Sequence, residues 1–153
     1  MKKNNKGFSL VELIVVVLIM AIIATALTLA VTKYVAKSKR SSDANTAGEL
    51  KTAAETTVTD YLTSKDDLGA GTIEIKGTPN GAWTFSDDDV VTGYKKADFQ
   101  SIFESAAGAK APQSKVHPSE SFKVTITIDS VSNATYDVNY STTSTDIFAE
   151  ATK

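Results

Sequence analysis

A continuous apolar segment near the start of the chain constrains its fold more than any other feature. Residues 8–31 read FSLVELIVVVLIMAIIATALTLAV and include one charged side chain, that of Glu12. A helix of this length extends about 36 Å, which is enough to cross a hydrocarbon core of roughly 30 Å. The sequence therefore predicts a transmembrane helix over residues 8–32.

Composition narrows the functions that remain. The 153 residues suffice for one domain, and 16 basic against 18 acidic residues give a net charge of −2, so direct nucleic-acid binding is not expected. The sequence has no cysteine and a single histidine, His117. This composition excludes disulfides and thiolate chemistry and leaves little for a histidine relay. We therefore expect a protein that is not an enzyme and that has no cofactor or metal site.

The residues before the apolar segment, MKKNNKG, form a short basic leader, residues 1–7. One interpretation is a secretory signal peptide released after Ala26, because Ala24-Thr25-Ala26 is a small-x-small exit, but the apolar segment continues beyond it. A second interpretation is a plain membrane anchor, in which Glu12 costs up to about 2.5–3.5 kcal/mol at the bilayer centre. Neither interpretation explains an acid within the apolar segment.

A third interpretation accounts for the acid. The basic leader and the string KGFSLVE at residues 6–12 resemble the N-terminal signature of type IV prepilins and of the related pseudopilins. The resemblance implies that a membrane-embedded prepilin peptidase cuts after Gly7 on the cytoplasmic side and methylates the new amine of Phe8. It also implies that Glu12 is the acid used in subunit assembly.

From this resemblance we expect a structural subunit of a type IV pilus-like surface filament, which self-associates through its N-terminal helix and serves adhesion, motility or DNA uptake. The precursor is expected in the cytoplasmic membrane as a single-pass protein, and assembly machinery is expected to move it into an extracellular filament. A pseudopilin of a type II secretion or competence apparatus is an alternative. A secreted binding module released after Ala26 is an alternative of a different class.

The resemblance also suggests a role for the acid within the filament. We expect Glu12 of one subunit to pair with the Phe8 amine of its neighbour and to fix the axial register of the apolar helices. The simpler alternative is a carboxylate that stays at the membrane interface.

The helix is expected to continue beyond the apolar segment with one apolar side. Apolar residues recur at spacings of three and four: Ala47, Leu50, Ala54, Val58, Tyr61 and Leu62. Charged residues, beginning with Asp43, occupy positions between them. We predict one helix from Phe8 to Ser64, about 85 Å long, whose residues 33–64 form the amphipathic part. With a small head this length implies a lollipop-like shape.

Two features of the sequence predict the partners of that helix and its continuity. A basic cluster of Lys33, Lys37, Lys39 and Arg40 is expected to contact lipid headgroups, and acids of neighbouring subunits are the alternative partners. Many type IV pilins carry a helix-breaking proline where this chain has Leu29, so we expect the apolar helix to stay continuous.

Residues 65–153 are predicted to form an antiparallel sheet with one extra helix, which makes the fold class α+β. Alternating apolar residues and turn signals predict two hairpins, residues 72–76 with 82–85 and residues 121–129 with 135–141. Helical spacing predicts a helix over residues 96–107, with Ala106 on its apolar face. The sheet should pack against residues 47–62 of the long helix. The tail, residues 142–153, could dock or remain free.

Candidate chemistry in this head is sparse. The acidic run Ser86-Asp87-Asp88-Asp89 is better explained as a solvated turn than as a calcium loop, and His117 is expected in an exposed loop. Asn133 and Asn139 begin glycosylation sequons for which turn and strand roles suffice. Residues 69–71 lack the context of a phosphate loop. We identify no catalytic site.

Overall fold

The computed structural model describes most of the chain as two compact units. The described residues are 8–65, 68–88, 90–130, 133–143 and 145–151. The two units are Met1–Ala36 and Lys37–Lys153. The elements, in chain order, are α1 (Leu10–Lys65), β1 (Gly71–Gly77), β2 (Trp83–Phe85), α2 (Lys96–Ala107), β3 (Phe122–Ser130), β4 (Asn133–Tyr140) and α3 (Ile147–Ala151).

The helix α1 is continuous and agrees with the predicted Phe8–Ser64 to within two residues. No proline interrupts it, and its threonines do not leave their hydroxyls unpaired. Each threonine hydroxyl in α1 donates to a carbonyl oxygen three or four residues earlier in the same helix. These bonds satisfy the hydroxyls within the helix, but they do not raise the low helix propensity of threonine, so the helix is held by its packing and its other residues.

The four strands form one antiparallel sheet in the order β2-β1-β3-β4. Both predicted hairpins are confirmed. In the first, Gly81 donates its N–H to the carbonyl of Thr78 at 2.9 Å, and Asn80 has a φ of 53°. Pro79 and a positive φ at the next residue are typical of a type II turn, so Asn80 supplies the left-handed conformation here.

The core of the second unit lies between α1, the sheet and α2. Residues from all three contribute to one buried apolar cluster: Ala47, Leu50, Ala54, Val58, Tyr61, Ile73, Ile75, Phe99, Phe103, Val124, Ile126 and Val138. The α+β fold class and the packing of α1 against the sheet are therefore confirmed. The prediction that Ala106 lies on the apolar, core-facing side of α2 is wrong, because Ala106 is exposed. It lines a groove between α2 and α1 instead of facing the core.

Aromatic rings fix the position of α2 in this core. Phe103 packs edge-on against Trp83 and Phe85, with ring centroids 5.2 and 5.7 Å apart. Phe99 lies between the rings of Tyr61 and Tyr94, at 5.5 and 5.4 Å. Such pairs contribute about 0.5–1.5 kcal/mol each beyond the area that they bury. The helix α2 is therefore held by both the sheet and α1.

The C-terminal tail docks, which the sequence left open. Ile147 is buried, and the carboxylate of Asp146 accepts the backbone N–H groups of Phe148 and Ala149 at 2.9 and 3.2 Å, which caps α3. The chain between β4 and α3 is also held. Glu120 accepts the N–H groups of residues 142 and 143 at 3.3 and 3.4 Å. The tail is thus attached by packing and by carboxylate hydrogen bonds.

The attachment at Glu120 is expected to depend on pH. Burial tends to raise the pKa of Glu120, but hydrogen bonds from Thr142 and Thr143 outweigh burial and hold the pKa below its usual value. A lowered pKa in the folded state means that the ionised carboxylate stabilises docking at neutral pH, and that this contribution is lost as the pH falls through the lowered value. Protection of the Thr142 and Thr143 amides from hydrogen exchange should therefore decrease on acidification.

The matched variant is Glu120→Gln, because an amide does not titrate. In this variant the protection of residues 142 and 143 should be lower at neutral pH and nearly independent of pH. Asp129→Asn, at an exposed strand position, serves as the control and should behave like the wild type. An equal loss of protection on acidification in the Gln variant and the wild type would contradict this role of Glu120.

Candidate functional site

The first turn of α1 carries Glu12, one of the residues that the sequence singled out. The helix begins at Leu10, and the carbonyl of Ser9 accepts the N–H of Leu13 at 3.2 Å. Ser9 therefore occupies the N-cap position, and Glu12 follows three residues later, which is the spacing of a capping box. An acid in the first turn is also favoured by the positive end of the helix dipole.

Two of the predicted site residues, Phe8 and Glu12, are solvent-exposed in the single chain. Phe8 precedes the helix and is 81% exposed. Glu12 is exposed in the first turn, and no hydrogen bond or ion pair joins its carboxylate to another residue in the described part of the chain. Gly7, the predicted cleavage position, lies outside the described residues. The expected pairing of Glu12 with an amine concerns a second subunit and stays a prediction.

The apolar surface of the first unit has no partner within its own described residues. Every residue from Phe8 to Ala36 is exposed, including large aliphatic side chains along the whole of this segment. A core helix of a soluble protein would be mostly buried, whereas the most apolar part of α1 is not buried at all. By length and composition, α1 can cross a membrane. An exposed apolar surface of this size requires a lipid or protein partner.

The apolar surface has a shallow depression on one side. It is lined by Leu13, Ile14, Val17, Leu18 and Ala21, which recur at helical spacing. At 100° per residue this stripe is centred on the side of α1 opposite to Glu12. Apolar side chains such as Val16 and Ile19 flank Glu12 on its own side, so the two sides of the helix differ in the acid and not in their apolar character.

Comparison with known families assigns the first turn and the apolar segment to one motif. Residues 2–28 match the family described as the prokaryotic N-terminal methylation motif. The match includes Gly7, Phe8 and Glu12. No significant match was found among curated proteins or among solved structures.

This motif is the prepilin signature of type IV pilins and pseudopilins, so the resemblance seen in the sequence is confirmed. It supports a type IV pilin-like or pseudopilin protein. The type IV pilin family is structural and not enzymatic. The motif implies processing by prepilin peptidase and assembly into a filament, and together with the apolar helix it suggests a membrane-anchored precursor.

A second polar centre lies in the head and was not predicted. Asp43, expected among the exposed charges of α1, is only 1% exposed. Its carboxylate accepts the hydroxyl of Ser114 at 2.5 Å, the N–H groups of Lys115 and Val116 at 2.8 and 3.1 Å, and the hydroxyl of Tyr140 at 3.3 Å. This carboxylate connects α1 to the loop before β3 and to the end of β4.

A sequence signal for this burial exists. Asp43 precedes Ala47 by four residues and Leu50 by seven, so it continues the spacing of the buried face. The spacing of three and four residues along α1 predicts burial of the apolar residues alone, because an acid on a buried face is rare without partners. The partners are more than seventy positions away in the sequence, and they could not be identified from the helix.

The loop that Asp43 binds also positions the single histidine. The backbone N–H of His117 donates to Ser114 Oγ at 2.8 Å. The His117 ring packs edge-on against the ring of Tyr140, with the two centroids 4.8 Å apart. The expectation of an exposed loop histidine is therefore wrong. His117 is half-buried, since the loop folds back over the end of β4.

The acidic run before α2 has a structural role. The N–H of Lys96 donates to Asp88 Oδ1 at 2.5 Å, and the ammonium of Lys96 lies 3.6 Å from Asp87. Asp88 therefore satisfies an amide at the start of α2, where a negative charge is favourable. Within the described residues, no group of three histidine, cysteine or acidic residues is placed to hold a metal ion. Asp89 lies outside the described residues.

The buried tyrosines next to this run act as hydrogen-bonding groups. Tyr61 donates its hydroxyl to the carbonyl of Gly93 and accepts the N–H of Lys95, both at 2.8 Å. Burial, followed by the charge of Asp88, raises the pKa of Tyr94 to about 12. Both hydroxyls fix the segment before α2, and Tyr94 stays protonated at physiological pH.

We expect Asp43→Ala to destabilise the head strongly. The substitution leaves two hydroxyls and two backbone amides without their acceptor in a buried position, at a cost of about 1–3 kcal/mol for each group that water cannot reach. The loss in unfolding free energy should therefore be about 3 kcal/mol or more. Denaturant unfolding of the full chain in detergent, followed by Trp83 fluorescence, measures this loss.

Two variants serve as references for Asp43→Ala. Asp43→Asn keeps one acceptor oxygen and should lose less stability. Glu49→Ala, at an exposed position of the same helix, should change stability by no more than about 0.5 kcal/mol. If Asp43→Ala were as stable as Glu49→Ala, the carboxylate would not be what connects the loop to α1.

Proposed function

We propose that the chain is a structural subunit of a type IV pilus-like surface filament, held in the membrane as a precursor and polymerised through the apolar half of α1. One observation carries the proposal: the prepilin motif leads directly into an apolar helical surface that is exposed from Phe8 to Ala36. In this proposal residues 1–7 are the leader, 8–32 the membrane and filament-core helix, 33–64 its amphipathic continuation and 65–153 the head.

The energetics of assembly follow from that surface. Lipid chains and the helices of neighbouring subunits are similarly apolar, so moving the helix from membrane to filament changes the hydrophobic free energy little. Assembly then depends on packing, on polar contacts between helices and on work from the assembly machinery. In the filament, α1 keeps its helical structure and exchanges lipid for the apolar surfaces of neighbouring helices.

The proposed polar contact is between Glu12 and the Phe8 amine of the next subunit. Cleavage after Gly7 creates this amine, whose ordinary pKa of about 8 keeps it charged at neutral pH, and methylation retains the charge. Removal of the leader takes away three lysines, so 13 basic against 18 acidic residues give a net charge of −5. Pairing in an apolar surrounding favours one axial register over all others.

The position of the apolar stripe supports repeated assembly. Since Glu12 and the stripe centred on Val17 are on opposite sides of α1, each helix presents different surfaces to its two neighbours. Contacts between unlike surfaces are heterologous, and they generate open helical assemblies unless the rotation closes into a ring. This supports a filament more than a closed dimer.

The first test of the proposal is the N-terminus of the mature protein. Intact mass and N-terminal sequencing of protein sheared from the cell surface should give a chain that begins at methylated Phe8. A chain that begins at Leu27 would instead indicate a secreted module and would contradict the proposal. Electron microscopy of the sheared material should show long fibres, whereas a short fibre confined to the envelope would indicate a pseudopilin.

The second test is Glu12→Ala. We expect the variant protein to be processed and to remain in the membrane at normal levels, but to yield few filaments, because the register contact is lost. Ser9→Ala is the matched control: it removes the N-cap hydroxyl but keeps the acid, and it should still form filaments. A normal filament yield from Glu12→Ala would contradict the pairing.

A further inference from the structure

The exposed side of α1 in the second unit carries charges that are arranged in two borders. At 100° per residue, Arg40 and Lys51 lie within about 20° of each other along one border of the exposed side. Glu49 and Asp60 lie within about 20° of each other along the opposite border. Between the borders lie Lys37 and Glu55, each about 40° from Lys51, and then a band of small residues: Ser41, Asn45, Gly48, Thr52, Thr56, Thr59 and Thr63. One helix therefore presents a basic border and an acidic border.

These four charged side chains are not used within the described part of the chain. Arg40 is half-buried and the other three are exposed. None of them takes part in the ion pairs that join Lys96 to Asp87 and Lys123 to Glu74, and no other ion pair joins them to a described residue. The charges of Arg40, Lys51, Glu49 and Asp60 therefore remain available for another molecule.

The acidic border opens onto the groove between α1 and α2. Glu49 and Asp60 line the α1 wall of this groove, and the α2 wall is formed by small or short side chains, including Ser101, Ser105 and Ala106. Lys110 stands near the Glu49 end without forming an ion pair with it. A long basic side chain from outside can therefore reach both acids along an open groove.

The spacing of the two borders matches. Arg40 and Lys51 are eleven residues apart, and so are Glu49 and Asp60. If a second, parallel copy of α1 is displaced by nine residues, Arg40 of that copy is level with Glu49 and Lys51 is level with Asp60. Nine residues correspond to about 13.5 Å along the helix.

Within the second unit, no other displacement achieves this. An offset of sixteen residues would level Lys33 with Glu49 and Lys39 with Glu55, but Lys33 and Lys39 lie about 120° apart around α1 and do not form one border. Among the exposed or half-buried charged residues of α1 from Lys37 to Asp60, nine residues is the only offset that pairs two bases with two acids. Glu55 does not line the groove, and it lies about 120–140° around α1 from Glu49 and Asp60. Burial and the charge of Glu55 raise the pKa of Tyr136 on β4, which places Glu55 beside the sheet.

We propose that the basic border of α1, Arg40 and Lys51, docks on the acidic border, Glu49 and Asp60, of a second copy of this chain, with the two α1 helices parallel and offset by nine residues. This interface rests on the proposed filament function and adds a contact between heads to the contact at Glu12. The two borders differ, so the contact is heterologous and can repeat from subunit to subunit.

The expected energies decide how the interface should be tested. An exposed ion pair contributes only about 0–1 kcal/mol, so neutralising one pair is a weak perturbation. Like charges placed opposite each other in an interface cost several kcal/mol, and the cost recurs at every subunit contact. Charge reversal is therefore the informative change.

The experiment measures sheared filaments relative to processed protein in the membrane. The basic-border variant, Arg40→Glu with Lys51→Glu, should lower filament yield by about tenfold or more, since about 1.4 kcal/mol already corresponds to tenfold. The acidic-border variant, Glu49→Lys with Asp60→Lys, should do the same. The variant with all four reversals restores opposite charges across the interface, and its yield should return to near the wild-type level.

A matched control changes the same amount of charge outside the register. Lys76→Glu with Lys95→Glu reverses two exposed bases, one on β1 and one just before α2, that belong to neither border, so this variant should form filaments. If a reversed border prevents the protein from accumulating, Arg40→Gln with Lys51→Gln replaces it. That variant should lose filaments severalfold and should be less sensitive to added salt than the wild type.

The outcomes separate the interface from the filament function. Loss of filaments in both border variants with recovery in the fourfold variant supports the interface. Normal yield in either border variant, or no recovery in the fourfold variant, overturns it while wild-type filaments still stand. Absence of wild-type filaments would contradict the proposed function itself.

Discussion

The apolar half of α1 sets the main constraint on this protein, because the described residues of its own unit do not cover it. From Phe8 to Ala36 no residue is buried, although this segment is the most apolar of the sequence. Leaving such a surface in water costs about 25 cal/mol for each Å² of apolar area. The helix therefore needs lipid or other helices around it, and the proposed alternation between membrane and filament follows from that need.

The second half of the same helix meets the opposite condition. Here α1 is a side of the core, and its buried face contacts the sheet and α2 through Tyr61 and its neighbours. The head achieves this without a disulfide. Carboxylates fix its irregular segments: Asp43 binds the loop before β3, Glu120 binds the chain after β4, and Asp146 caps α3. Each acid accepts several backbone or hydroxyl donors, so one side chain orders a whole segment.

Apolar packing and polar contacts have different roles along α1 in the proposed filament. Apolar packing is strong but does not distinguish one axial register from another, because aliphatic surfaces slide with little preference. Polar contacts distinguish registers, since they are favourable at one offset and unfavourable at others. We propose Glu12 as such a contact in the apolar half, and the borders that contain Lys51 and Asp60 as one in the head.

The sequence by itself determined the local features. The apolar segment, the prepilin motif, both hairpins and the helix over residues 96–107 follow from periodicity and short motifs, which depend only on neighbouring residues. The site at Gly7, Phe8 and Glu12 could be proposed for the same reason, because a linear motif needs no fold to be recognised.

Only the tertiary structure decided where the polar side chains of the head go. The burial of Asp43, the packing of His117 on Tyr140 and the docking of Ile147 all depend on segments that are distant in sequence. A charged residue is placed inside or outside by the donors that reach it. Those donors come from loops, whose paths are fixed only when the sheet and α1 pack together.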